Sequence, residues 1–234
     1  MDGRARGRHF VTIAVLSWSA RATLISTLES YRRFGLDELD EDRVIFFQQM
    51  VDDDRAIAEE YGYRCLGSAL NLGIAGGYRQ LLEAAQGDIF LFLENDWELI
   101  VDPKGQLGEA SALLREGLAD VVRFRHRERP GEPLYTRQFA GNEHIKPTHL
   151  LDSVHWCDAE FPEITLRDGW FWTTARYANW TNNPTMFRTD FLRDQIVPRM
   201  GNLDVEVDLQ EWWEQQDFIV IQGKGLFTHN RLDR

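Results

Sequence analysis

At 234 residues, with 43% hydrophobic residues and a formal net charge of −12, the chain carries apolar material for one well-packed domain and rather little for two. That acidity excludes indiscriminate binding to nucleic acid or anionic membrane, which needs a basic face. Cys65 and Cys157, distant and without a CxxC pair, exclude a disulfide scaffold or a zinc cluster.

Val11–Leu16 reads as a buried strand, too short to be a signal-peptide core. No later apolar run approaches the roughly 20 residues of a membrane span, so no transmembrane segment and a cytoplasmic location are expected. A loop at Ser17–Arg21 leads into a helix over Ala22–Phe34 that Gly35 stops. Val44–Gln48 is a second strand, and Asp52–Asp54 can cap a helix from Arg55 to Tyr61. Tyr63–Leu66 is a third strand, and Gly73, Gly76 and Gly77 lead into a helix of about 77–85. The uninterrupted apolar run Ile89–Leu93 follows Gly87-Asp88 and fits a strand buried on both faces. A helix near Leu107–Glu116 and a strand at Val121–Arg125 come next.

After Arg127 the chain is rich in proline and tryptophan and shows no long periodic segment. Helices are expected at Phe187–Ile196 and Val205–Gln216, with a closing strand at Phe218–Gln222. Strands alternating with helices predict an α/β fold with a mostly parallel central sheet, helices on both faces, and a single domain.

The Ile89–Leu93 strand ends in Glu94-Asn95-Asp96-Trp97-Glu98. Carboxylates at the carboxyl end of a parallel strand face the ligand crevice and suit a hard divalent cation, Mn²⁺ or Mg²⁺; a solvated strand corner is the plainer reading. Asn71-Leu-Gly-Ile-Ala-Gly-Gly-Tyr-Arg79 is a glycine-rich turn into a helix, fit for backbone approach to a phosphate or for tight packing. Arg79 reaches either a phosphate or Glu83, four residues on, with the pairing favoured. Asp204, Glu206 and Asp208 alternate at a helix start, a candidate general base or simply an acidic first turn favoured by the helix dipole. Trp180, Asn182 and Asn183 form either a sugar-stacking, acceptor-binding surface or a loop plug. His126, His144, His149 and His155 lack metal-ligand spacing and read as bystanders.

Taken in order, these elements resemble the GT-A glycosyltransferases, and in particular the family 2-like group that uses nucleotide-diphospho-sugar donors. The likeness rests on NxGxAGG before a helix, the GD-strand leading into Glu94-Asn95-Asp96 at a D-x-D position, and a late helix and strand ending in His229. Residues 11–100 match well, 184–229 loosely, and 128–183 only by length and position. The resemblance implies a Rossmann-like GT-A domain, with a nucleotide-sugar half at about 10–127 and an acceptor-binding and catalytic half at about 128–234. It implies that Ser17 and Arg21 sit near the nucleotide, and that Gln48 falls where relatives carry an acidic residue or Asn reading the base. A UDP-sugar is then the default donor. Asn71, Gly76 and Gly77 would line the ribose and diphosphate, and Arg79 stands where relatives often have Asn. Asp96 would ligate the metal, Glu94 and Asn95 would contact the donor, and His229 would be a second metal ligand. Glu206, or failing it Asp208, would be the base of an inverting transfer to a hydroxyl of a glycan or other acceptor. A sugar-phosphate nucleotidylyltransferase is one rival, weakened by the absence of glycine in Ser17–Arg21. A degenerate carbohydrate-binding module is the other.

Overall fold

The structure, a computed structural model, describes residues 10–39, 41–126, 164–201, 205–230 and 232. The first half alternates as expected: β1 (Val11–Trp18), α1 (Arg21–Arg33), β2 (Asp42–Gln48), α2 (Asp52–Glu60), β3 (Arg64–Ser68), α3 (Gly73–Ala84) and β4 (Ile89–Glu94). There follow β5 (Trp97–Leu99), α4 (Lys104–Arg115) and β6 (Val121–Arg125), then β7 (Thr165–Arg167), β8 (Trp170–Thr174) and β9 (Thr185–Arg188). A short α5 (Thr189–Phe191) runs on as a π turn, Leu192–Ile196, and a 3-10 turn, Val197–Arg199, before α6 (Val205–Trp213) and β10 (Ile219–His229).

The strands form one sheet in the order β3-β2-β1-β4-β9-β6-β10-β8-β7, with β5 against the end of β10. β3, β2, β1 and β4 are parallel, as are β6 and β10; β9 lies antiparallel between β4 and β6. Alternate residues of each strand face opposite cores. Ile13 and Val15 pack under α1, α2 and α4 with Leu28, Ala58 and Leu114. Ala14, Leu16, Phe90 and Phe92 pack under α3 and α6 with Tyr78, Leu81 and Leu209. The sheet is therefore mixed, mostly parallel at its centre, and covered by helices on both faces.

Three departures from the sequence reading bear on the site. Phe187 and Arg188 belong to a strand, not a helix, because Thr185–Arg188 pairs with two neighbours at once and buries Met186 and Phe187 completely. The helix after the glycine-rich turn begins at Gly73, since Asn71 Oδ1 accepts the Gly73 amide hydrogen (2.8 Å) and caps the first turn. The closing strand extends through His229. Between Gln222 and Phe227 its register shifts, with Gly225 at φ +89° and its Cα so close to the His126 backbone that a Cβ would stand 2.4 Å away. The shift lets Phe227–His229 pair with β5. Cys157, His144, His149 and His155 lie outside the described residues.

Candidate active site

The carboxyl ends of the parallel strands bring two features together. The first is a cavity of about 330 Å³ at the ends of β1 and β2, lined by Ser17, Ser19, Arg21, Phe47, Gln48, Gln49, Val51 and Asp54. Arg21 Nε donates to Asp54 Oδ1 (2.8 Å), a bond that holds the guanidinium pKa above its ordinary value. Asp54 Oδ2 accepts the Val51 amide hydrogen (2.8 Å), so this carboxylate both caps α2 from its third residue and fixes Arg21. Gln48 does not present its amide to the cavity. Its Oε1 accepts the Leu72 N–H (2.6 Å) and its Nε2 donates to the Gly73 carbonyl (2.8 Å), clamping the start of α3.

Trp18, Ser19, Gln49 and Asp54 were not singled out as site residues by the sequence. Trp18 is exposed, and its Nε1 donates to Oε1 of the cavity residue Gln49 (2.8 Å). Ser19 (φ 57°) and Gln49 (φ 52°) are left-handed without being glycine, a conformation that clusters at ligand sites. Nothing in composition or spacing announces a positive φ at serine or glutamine. Only the Asp52–Asp54 run gave a signal, read there as a helix cap alone.

The second feature is the end of β4. The Asn95 amide donates to the Leu16 carbonyl (3.0 Å), which sets the acidic turn beside Ser17 and the cavity. Asp96 is buried, and its Oδ2 lies 2.9 Å from His229 Nε2. The His229 ring also stands against Trp97, centroids 5.0 Å apart. A carboxylate oxygen and an imidazole nitrogen suit Mn²⁺ as a donor set, with the remaining positions open to water or phosphate oxygens. Among the described residues no three His, Cys, Asp or Glu side chains converge into a group that could hold a metal ion. Glu98 Oε1 accepts hydrogen bonds from Ser26 Oγ (2.5 Å) and Asn230 Nδ2 (2.9 Å).

Tyr78 of α3 is fully buried and stacks on Phe92, centroids 3.8 Å apart. Burial drives its pKa well up, and the charges of Glu94 and Glu206 push it further, so both carboxylates lie within electrostatic reach of one phenol. Glu94 ends β4 and Glu206 begins α6. Glu206 Oε1 accepts the Thr181 hydroxyl (3.0 Å) and the Asn182 amide hydrogen (2.7 Å). Asp208 turns instead toward the Met200–Gly201 turn, where a Cβ on Gly201 would stand 1.8 Å from its Oδ2.

Other expectations are corrected. Trp180 is 2% exposed, stacked on Phe187 and packed edge-on against Trp213, so its faces are taken by the core and none is left for a sugar. Asn182 is also buried, and its side-chain oxygen has no hydrogen-bond partner. Arg79 donates to the Met200 carbonyl (2.9 Å) rather than pairing with Glu83, because the 3-10 turn before α6 closes over it. Gly76 and Gly77 have a packing reason: a Cβ would meet Leu72 Cβ and Leu16 Cδ1, each at 2.4 Å.

No protein-family model and no curated protein sequence matches the chain. Solved structures do. S. aureus TarS 1–349 superposes with a TM-score of 0.60 at 16% identity, covering 94% of this chain and 60% of that one. The same protein in complex with UDP-GlcNAc gives 0.60 at 15%, covering 96% and 59%. Glucosyl-3-phosphoglycerate synthase from Mycobacterium tuberculosis, in complex with Mn²⁺, UDP-glucose and phosphoglyceric acid, gives 0.54 at 14%, covering 96% and 73%. The chain thus spans about three-fifths of the TarS fragment and about three-quarters of the synthase. Strand order and these superpositions agree: the chain has the GT-A fold.

Proposed function

We propose that this protein is a metal-dependent, inverting glycosyltransferase that moves a sugar from a nucleoside-diphosphate donor to a hydroxyl of a glycan or other acceptor. The observation that carries the proposal is the buried Asp96 held 2.9 Å from His229 at the strand ends, next to Asn95, whose N–H bonds the carbonyl of Leu16, the residue before Ser17 of the cavity. In this reading residues of about 10–127 hold the nucleotide and those of about 128–234 supply the acceptor side and the base. The base and ribose enter the cavity near Ser17, Arg21 and Gln49, with Gln48 shaping the cavity through α3. Asn71, Gly76 and Gly77 bring the α3 backbone toward the diphosphate, and Glu94 and Asn95 flank the sugar. Asp96 and His229 would hold Mn²⁺ or Mg²⁺, and the ion would supply positive charge against the leaving diphosphate. Glu206, tethered by Thr181 and Asn182, takes the acceptor hydroxyl's proton. The acceptor oxygen bonds the anomeric carbon as the bond from that carbon to the phosphate oxygen breaks.

UDP fits as the first donor to test, because TarS has been solved with UDP-GlcNAc and the mycobacterial synthase with UDP-glucose. Thermal shift with UDP, GDP, dTDP and CMP, each with and without Mn²⁺, tests the reading by mass action on the native state. One nucleoside diphosphate should stabilise the protein only with metal, and Asp96→Ala should abolish that response. Stabilisation by none of them refutes the donor site.

A further inference from the structure

Glu98 looks like a third metal carboxylate in the sequence, yet the fold spends it on something else. In β5 it alternates with the buried Trp97 and Leu99, and its Oε1 accepts hydrogen bonds from Ser26 Oγ (2.5 Å) and Asn230 Nδ2 (2.9 Å). Asn230 directly follows His229, and its backbone N–H donates to the Asp96 carbonyl (2.8 Å). One residue is therefore tied by its main chain to one member of the candidate metal pair and by its side chain to Glu98, while its chain neighbour is the other member.

The anchor beneath this link is α1. Beyond Ser26, Thr27 Oγ1 donates to the Asn95 carbonyl (2.8 Å), the Tyr31 hydroxyl donates to the Trp97 carbonyl (2.9 Å), and Ser30 Oγ accepts the Leu99 N–H (2.9 Å). Thr23 Oγ1 accepts the Leu232 N–H (2.9 Å). A single helix face, repeating every three to four residues, thus grips both the acidic turn and the segment after His229. His229 ends its strand with an exposed side chain whose neighbours are Asp96 and the Trp97 ring.

We infer that Glu98 and Asn230 are positioning residues: they hold the His229 imidazole against Asp96 and so set the affinity of the cation site. The inference rests on the proposed metal role of that pair. A positioning function needs the Glu98 oxygen as a hydrogen-bond acceptor and not its charge, which separates it from electrostatic attraction of the cation.

Calorimetric titration of Mn²⁺ alone into the full chain tests it. Asn230→Ala and Glu98→Ala should each weaken Mn²⁺ binding about 10–100-fold, the usual effect of losing an outer-shell partner. Glu98→Gln, which keeps an acceptor oxygen for Ser26 and Asn230, should bind as wild type does. Ser26→Ala should fall between, and thermal melts confirm that each variant is folded. Wild-type binding by both alanine variants overturns the inference, as does Glu98→Gln binding as poorly as Glu98→Ala. If wild type and Asp96→Ala take up Mn²⁺ alike, the metal reading fails and the inference falls with it. Intact loss in Asp96→Ala with no loss in Asn230→Ala defeats the positioning role alone.

Discussion

Replacement of Glu206 separates its proposed role as a base from its part in the architecture. Its Oε1 accepts the Thr181 hydroxyl at 3.0 Å and the Asn182 amide at 2.7 Å. Glu206→Gln keeps an oxygen there, so both bonds persist while the proton acceptor is lost. A positioned general base contributes about 10²–10⁴-fold, which at 1.36 kcal/mol per decade is about 2.7–5.4 kcal/mol of barrier. Glu206→Ala removes the oxygen as well. Asn182 is buried, and a buried donor left without an acceptor costs about 1–3 kcal/mol, so the alanine variant should lose stability in addition to turnover. Nucleotide release from the donor in the presence of acceptor and Mn²⁺ gives turnover, calorimetry gives donor affinity, and thermal melting gives stability. Glu206→Gln should retain donor affinity and melting temperature and lose turnover. Wild-type turnover in Glu206→Gln with an inactive Asp208→Asn would place the base at Asp208. A glutamine variant as unstable as the alanine one would refute the hydrogen-bond argument.

Three further outcomes follow from packing and burial. Trp180→Ala should cost about 3–5 kcal/mol of stability, as large core truncations do, with donor affinity retained by whatever fraction stays folded; an affinity loss without destabilisation would restore a sugar-stacking role. Gly77→Ala should cost about 1–3 kcal/mol because its Cβ meets Leu16 Cδ1, and Leu16→Val in the same chain should recover part of it; strict additivity in the double-mutant cycle would exclude that contact. Asp37 is pushed up from its ordinary carboxylate pKa of 3.8 by burial, only partly offset by Arg43. Because the folded-state pKa lies above the unfolded one, its charge is a penalty that is absent below pH 3.8 and grows as pH rises through the folded value. Asp37→Asn should therefore raise the melting temperature at pH 7 and not at pH 3, and a greater gain at pH 3 would reverse the sign.

Much of the first half of the chain was legible because its strands are buried on both faces and its helices carry plain stops. Apolar runs such as Ile89–Leu93 and Val11–Leu16 needed no tertiary information to be recognised. The acidic stretch was legible as a candidate site, but not how its carboxylates divide: Asp96 meets His229, whereas Glu98 is taken by Ser26 and Asn230, partners far away in the sequence. Trp180 shows the opposite failure. An indole beside amides is as good a core plug as a sugar platform, and only the proximity of Phe187 and Trp213 decides. Gln48 looked ligand-directed and Arg79 looked poised between a phosphate and Glu83, yet both side chains close backbone groups far along the chain, at Leu72–Gly73 and at Met200. Thr185–Arg188 is too short to declare its period, and its strand identity comes from two neighbours separated widely in sequence.

That strand has a consequence for synthesis. β9 fills the slot between β4 and β6, yet it is made roughly 60 residues after β6 ends, which at about 5–20 residues per second means a delay on the order of 3 to 12 seconds. Throughout that interval β4, apolar from Ile89 to Leu93, waits at the edge of a four-stranded nascent sheet with its hydrogen-bonding groups unpaired on one side. Such an edge is a template for another chain. Translation pauses or truncation between residues 126 and 184 should thus yield aggregating fragments, and the cell's holdases would meet this protein at that edge.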